Sequence, residues 1–185
     1  MQGRSHARPA PERRAYTLIE LLVVVTVLGI AATMVVPAFS QTNTLRLQAA
    51  VRLIISDMTQ AQSDAVAMQS PQGVLFSLSS ESSGYVIGPV TNGQIDATPG
   101  IGVSRIISGE EFGNARLASL NLAQNGVWFD ALGGPVTTPG GQTPAGNMSL
   151  EVRAGTQGYV IQIEAFTGRI TVATDEEEGV LIGGN

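Results

Sequence analysis

Residues 16–36 form the segment that most restricts what this chain can fold into. They read YTLIELLVVVTVLGIAATMVV and contain a single charge, Glu20. An apolar run of about twenty residues is long enough to cross a bilayer as a helix. A carboxylate inside such a run is costly unless it is paired, so Glu20 is a candidate functional residue. The other interpretation is an interfacial carboxylate at the start of an ordinary signal anchor.

The fifteen residues before this run are polar and basic, with four arginines at positions 4, 8, 13 and 14. Basic residues stay on the cytoplasmic side, which predicts a cytoplasmic leader over residues 1–15 and a C-terminal part across the membrane. A cleaved secretory signal is disfavoured because its apolar core is shorter than this run. Arg13-Arg14 also allows twin-arginine export, although a dipeptide alone indicates little.

The apolar run continues into a second helical pattern. Residues 38–70 carry apolar side chains at spacings of four and three, the pattern of an amphipathic helix. The stripe consists of Leu47, Val51, Ile54, Met58, Ala61, Ala65 and Met68. Pro71 and Gly73 predict a helix end near Ser70. Gly29 and Pro37 are the predicted bend points of the helix.

After Pro71 the pattern changes to short β segments separated by glycine-rich and proline-rich turns. The segments are residues 74–78, 85–87, 116–122, 127–129, 149–153, 159–165 and 169–173. Asn125-Gly126 predicts a turn between two of them, and residues 166–168 predict a tight hairpin. Residues 133–147 read as an exposed, mobile loop. The predicted fold class is α+β, with a long N-terminal helix (a transmembrane half, 16–37, and an amphipathic half, 38–70) packed on an antiparallel β-sheet head domain over 71–185.

Composition excludes several kinds of chemistry. Cysteine is absent and the one histidine, His6, lies in the leader, which excludes thiol chemistry and a histidine-based catalytic site in the folded part. Without residues 1–15 the chain keeps six of ten arginines and fourteen of fifteen acids, a formal charge of −8. Such a surface is a poor electrostatic partner for nucleic acid or an anionic membrane face. The sequence predicts no cofactor and no metal.

The remaining candidates each have a plain interpretation. Asp130, Glu151 and Glu164 could form an acid–base pair, but solvated strand or loop carboxylates are the preferred interpretation. The acidic residues 175–178 could bind calcium, but they lack the glycine spacing of a known loop, which favours a solvated tail. Trp128 is interpreted as the main aromatic residue of the core, with an exposed partner contact as the alternative.

The residues AYTLIELLVV at positions 15–24 resemble the cleavage and methylation motif of type IV pilins and type II secretion pseudopilins. The resemblance implies that prepilin peptidase cuts between Ala15 and Tyr16 and methylates the new Tyr16 amine. Glu20 then becomes the fifth mature residue, where the family has its glutamate. Gly29 and Pro37 match the family's helix breakers, whereas Ala15 departs from the usual glycine.

A weaker resemblance covers the rest of the chain. The segments 59–65, 127–133 and 167–172 are similar to the minor pseudopilins that include the type II secretion H component. Together the resemblances imply a non-enzymatic filament subunit of the bacterial inner membrane, with other pilin subunits, prepilin peptidase and the inner-membrane assembly platform as partners. In a filament, Glu20 would pair with a neighbouring subunit's Tyr16 amine and so set the register, with Thr17 adding a hydroxyl to that contact.

Two other functions remain open from sequence. Some minor pilins that this chain resembles bind DNA near the C-terminus, but here Arg169 stands alone and four acids follow it, which disfavours phosphate binding. A single-pass anchor carrying an extracytoplasmic domain, with or without an enzyme activity, is the second alternative.

Overall fold

The computed structural model describes residues 16–78 and 82–174, and for residues 33–42 it describes the backbone alone. The leader with Ala15, residues 79–81 of the loop before Tyr85 and the acidic residues 175–178 therefore lie outside the described residues. The described residues divide into two compact units, the first ending at Ser40 and the second beginning at Gln41.

One helix, α1, runs through both units from Leu18 to Met68. Its backbone is helical through Gly29 and Pro37. Proline removes one backbone N–H from a helix, and for that reason Pro37 was predicted to bend α1. The bends at Gly29 and Pro37 stay predictions.

The second unit contains two antiparallel sheets. The larger sheet has the strand order β3-β2-β1-β6-β7, with β4 also paired to β2. Its strands are β1 (Gln72–Ser77), β2 (Gly84–Thr91), β3 (Gln94–Ile95), β4 (Val103–Ile106), β6 (Gly126–Phe129) and β7 (Pro135–Val136). The smaller sheet has the order β10-β9-β8-β5, formed by β5 (Arg116–Asn121), β8 (Met148–Ala154), β9 (Gln157–Ile163) and β10 (Ile170–Thr174). A short 3-10 helix, Glu110–Phe112, precedes β5.

The second part of α1 supplies one side of the core. Six of the seven stripe residues are buried, and they pack with apolar residues from both sheets. Met68 differs from the prediction because it lies in the last turn of α1 and is exposed. The core aromatic residues are Phe76, Tyr85 and Phe129, and the rings of Phe76 and Tyr85 lie 5.5 Å apart. The predicted α+β fold, a helix packed on an antiparallel β head domain, is confirmed.

Trp128 is buried, but it does not belong to this core. Side chains alternate along a strand, and Val127 and Phe129 take the core face of β6. The indole lies against Gly73 and Gly126, where a Cβ would come within 2.5 and 2.4 Å of its ring carbons. Its Nε1 donates to the Ala123 carbonyl at 2.8 Å. Trp128 is therefore a buried aromatic residue, as predicted, but strand alternation separates it from the cluster that contains Phe76, Tyr85 and Phe129.

The turn predicted at Asn125-Gly126 is displaced by one residue. Gln124 and Asn125 have positive φ angles of 54° and 58°, and Gly126 is already in β6. The two flanking strands, β5 and β6, belong to different sheets. By contrast, β9 and β10 pair antiparallel across residues 166–168, as predicted. Within the predicted loop 133–147, the chain forms β7, whose Pro135 and Val136 are buried.

Candidate functional site

Thr17 and Glu20 form the start of α1. The Glu20 backbone N–H donates to Thr17 Oγ1 at 3.3 Å, and the Leu21 N–H donates to the Thr17 carbonyl at 3.2 Å. Thr17 is therefore the N-cap, and Glu20 is the third helical residue. Glu20 is an acid in the first turn, where the helix dipole favours a negative charge.

The pattern Thr-x-x-Glu is the sequence signature of a capping box. This pattern was present in the sequence, although the capping role of Thr17 was not among the predictions. The Glu20 side chain and Tyr16 are exposed. The predicted roles of Tyr16, Thr17 and Glu20 in filament contacts stay predictions, since they involve a second molecule.

The first turns of α1 are apolar on every side. Their large apolar side chains are between 48% and 82% exposed. They are Leu18, Ile19, Leu21, Leu22, Val23, Val24, Val25, Val27, Leu28 and Ile30. A helix that is hydrophobic all round is typical of a segment that is buried in a larger assembly or a membrane. A Cβ added at Gly29 would meet open space, so no described neighbour requires glycine there.

Within residues 16–78 and 82–174, no helix has the length and hydropathy needed to cross a membrane. The transmembrane half predicted for residues 16–37 includes residues 33–37, whose side chains lie outside the described part of the chain, and it stays a prediction.

Asp57, on the second part of α1, is a buried acid. Its Oδ2 accepts a hydrogen bond from the Tyr85 hydroxyl at 2.8 Å and another from Arg105 Nε at 3.2 Å. Burial, followed by the hydrogen bond to Asp57, raises the pKa of the Tyr85 phenol far above its ordinary value. The arrangement ties α1 to β2 and β4, and the sequence pattern did not predict it because Asp57 lies beside the apolar stripe.

The three carboxylates considered for acid–base chemistry each have a separate structural role. Asp130 Oδ1 accepts the backbone N–H groups of Leu132 and Gly134, both at 2.9 Å. Glu151 pairs with Arg153 on the same strand. Glu164 lies 3.8 Å from the exposed Arg169, the residue considered for DNA binding. The described contacts therefore favour local structural roles for the three carboxylates and for Arg169.

Two comparisons relate this chain to known proteins. Residues 12–36 match the family model of the prokaryotic N-terminal methylation motif. The crystal structure of the type IV minor pilin FimU from Pseudomonas aeruginosa is similar, with a TM-score of 0.50 and 22% identity. The similarity covers 71% of this chain and 91% of FimU. No curated protein sequence matches the chain.

The chain has a type IV pilin-like fold. At 22% identity the likeness to FimU concerns the fold, and the methylation motif concerns the N-terminal 12–36 segment. The pilin-like head domain and the matched motif lie on one chain and are joined by α1, whose first part carries the exposed apolar surface.

Proposed function

We propose that this chain is a non-enzymatic subunit of a type IV pilus-like filament or a type II secretion pseudopilus. The observation that carries the proposal is the methylation motif at 12–36, followed by a capped helix with an apolar surface on all sides. Such a surface needs a partner, and the neighbouring helices of a filament supply one. The fold likeness to a minor pilin supports a minor subunit, and the H-type pseudopilin group is the subgroup that we propose.

The proposed processing follows from the motif. Prepilin peptidase removes residues 1–15 by cutting between Ala15 and Tyr16, and it methylates the Tyr16 amine. Residues 16–37 act as the membrane and assembly segment, 38–70 as the amphipathic half of the helix, and 71–185 as the head domain. Before assembly the chain resides in the inner membrane with its N-terminus in the cytoplasm and its head in the periplasm, where the assembly platform recruits it.

Glu20 is the residue that we propose sets the position of the subunit. An unpaired carboxylate buried among apolar helices is strongly destabilising, whereas one that pairs with a neighbour's Tyr16 amine is tolerated. Only one axial offset between neighbouring helices brings the two groups together. Glu20 therefore acts as a register device, and the Thr17 cap holds the first turn that carries it.

The test compares Glu20→Ala with Glu111→Ala, an exposed acid in the short 3-10 helix of the head. We expect Glu20→Ala to reduce recovery in sheared filaments about tenfold or more, since leaving a buried amine unpaired costs several kcal/mol. Glu111→Ala should leave recovery unchanged. Mass spectrometry of the mature N-terminus accompanies the assay. Normal recovery of Glu20→Ala would contradict the register role, and an intact Met1 would contradict the processing.

DNA binding is the less favoured function. Arg169 already lies near Glu164, and Arg153 pairs with Glu151 on the same strand, β8. Salt-dependent binding of the purified chain to duplex DNA at moderate ionic strength would revive this function.

A further inference from the structure

Two turns of the head domain present large apolar side chains to solvent. Leu132 is 86% exposed and Phe166 is 74% exposed, the highest values for large apolar residues between positions 43 and 174 among the described residues. Both side chains line one cleft of about 350 Å³. Exposed apolar residues that cluster on a monomer mark interaction surfaces more often than scattered single residues do.

The turn that carries Leu132 is rigidly built. Asp130 accepts the N–H groups of Leu132 and Gly134, while the Gly133 N–H donates to the Asp130 carbonyl at 3.0 Å. Gly133 has a φ of 80°, and a Cβ there would come within 2.7 Å of a Val66 methyl on α1. The turn is therefore fixed against the helix, and Leu132 points away from the core.

The turn that carries Phe166 holds it in an unfavourable backbone conformation. Phe166 has a φ of 62°, in the left-handed region that costs a bulky residue about 1–2 kcal/mol. The Gly168 N–H donates to the Glu164 carbonyl at 3.0 Å and closes the turn. Asparagine or glycine would fit this position with less strain, and the exposed ring contributes little to the core. Strained positions of this kind are found preferentially at functional sites.

Gln62 on α1 fixes the two turns relative to each other. Its Nε2 donates to the Gly133 carbonyl at 2.8 Å and to the Thr167 carbonyl at 3.1 Å. One helical side chain therefore sets the spacing of Leu132 and Phe166 in advance. Preorganised apolar anchors of this kind reduce the entropy cost of binding.

We propose that Leu132 and Phe166 form a docking surface, the 132/166 surface, for the head domain of a different pilin-type subunit. The proposal rests on the proposed filament function. Asp130 lines the cleft beside Leu132, whereas Glu164 lies outside the lining and near Arg169, so the cleft is acidic and the fitting partner presents an apolar side chain beside a basic one. The chain after residue 15 has a formal charge of −8, and the repulsion between two copies of so acidic a chain disfavours a second copy as the occupant.

Photo-crosslinking in cells tests the proposal with the full chain. Phe166 is replaced by the photoreactive p-benzoylphenylalanine, and the same replacement at Ile106, which is exposed on β4 and does not line the cleft, is the control. We expect an adduct at position 166 with a second protein whose mature N-terminus carries the methylated prepilin motif, and no such adduct at position 106. An adduct with a second copy of this chain alone, or equal adducts at both positions, would overturn the proposal.

A second variant establishes whether the surface itself holds the partner. Leu132→Ser keeps the backbone N–H that Asp130 binds, and it should lower the adduct yield at position 166 about tenfold, as truncation of an interface anchor does. Ile106→Ser should leave the yield unchanged. An unchanged yield in Leu132→Ser would show that the 132/166 surface is not the contact.

The proposed filament function is read out separately in the same cells. If the unmodified chain is recovered in sheared filaments with a methylated Tyr16, but no adduct with a second pilin-type subunit forms, only the docking surface is wrong. If the chain is absent from filaments or Met1 is intact, the filament function is wrong and the docking surface falls with it.

Discussion

The two parts of α1 differ in the exposure of their apolar side chains. From Leu18 to Ile30 the large apolar side chains are all at least 48% exposed, and no stripe is distinguished from the rest. From Leu47 to Ala65 one stripe is buried in the core of the head domain, and the other sides carry polar residues. The apolar stripe of the second part is covered by the head domain of its own chain. The first part presents apolar surface that a second molecule or a membrane must cover.

The two parts of α1 are therefore stabilised by different contacts. Burying a Leu, Ile or Val side chain contributes about 1.5–3 kcal/mol, and the second part gains this within the subunit. The first part gains it only on assembly or insertion. Substitutions in the two parts should therefore be felt in different measurements.

The largest expected effect comes from one substitution made in both parts. Ile54 is 0% exposed and Ile19 is 70% exposed. Ile54→Ala should lower the free energy of unfolding of the head by about 2–5 kcal/mol because it leaves a cavity. Ile19→Ala should change it by less than about 0.5 kcal/mol. Denaturant titration of the full chain in mild detergent, followed by fluorescence of the single tryptophan, Trp128, measures both.

The recovery of Ile19→Ala in sheared filaments complements the unfolding measurement. Ile19→Ala should reduce incorporation, although the head remains as stable as in the unsubstituted chain. Comparable losses of head stability in the two variants would break the comparison between the two parts of α1.

A smaller effect is expected at the buried ionic group of the second part. Tyr85→Phe removes the hydrogen bond to Asp57 and should lower the free energy of unfolding by about 1.5–3 kcal/mol. The pKa of the Tyr85 phenol is raised in the folded state. The stability that this phenol contributes is therefore fully present below its ordinary pKa of 10.0 and is lost as the pH rises above that value. The denaturant midpoints of the two proteins should therefore differ at pH 8 and converge above pH 10. A difference that stays constant with pH would refute this account.

The smallest effect is expected at the start of the first part. Thr17→Ala removes the cap on the Glu20 N–H and should destabilise the first turn by about 1 kcal/mol. Hydrogen exchange at the Glu20 amide should accelerate about fivefold, while amides of the head domain keep their rates. Thr17→Ser retains the hydroxyl and serves as the matched control. Unchanged exchange in Thr17→Ala would show that the cap does not hold in solution.

Much of the fold could be predicted because its patterns are local. The stripe of α1, the end of the helix before Pro71 and the hairpin at residues 166–168 follow from side-chain period and turn chemistry within a few neighbouring residues. Residues 133–147 are rich in glycine, proline and threonine, a composition that does not reveal that Pro135 and Val136 pair with β6.

The candidate site divides in the same manner. The motif with Tyr16, Thr17 and Glu20 is contiguous, so the sequence alone indicates its processing and its place at the start of a helix. Two hydrogen-bonded groups could be seen only in the tertiary structure. In one, Gln62 binds the turns of Leu132 and Phe166. In the other, Asp57 binds Tyr85 and Arg105.

The sequence by itself determined the apolar first part of α1, the acid within it and the change to β structure after Pro71. Each of these depends on residue type and spacing along the chain. The tertiary structure was needed to show that Trp128 packs against Gly73, that β5 and β6 belong to different sheets and that Leu132 and Phe166 line one cleft. These arrangements depend on contacts between residues that are distant in the sequence, such as Gln62 and Thr167, which are 105 positions apart. The spacing within a local pattern carries no information about which distant partner is chosen.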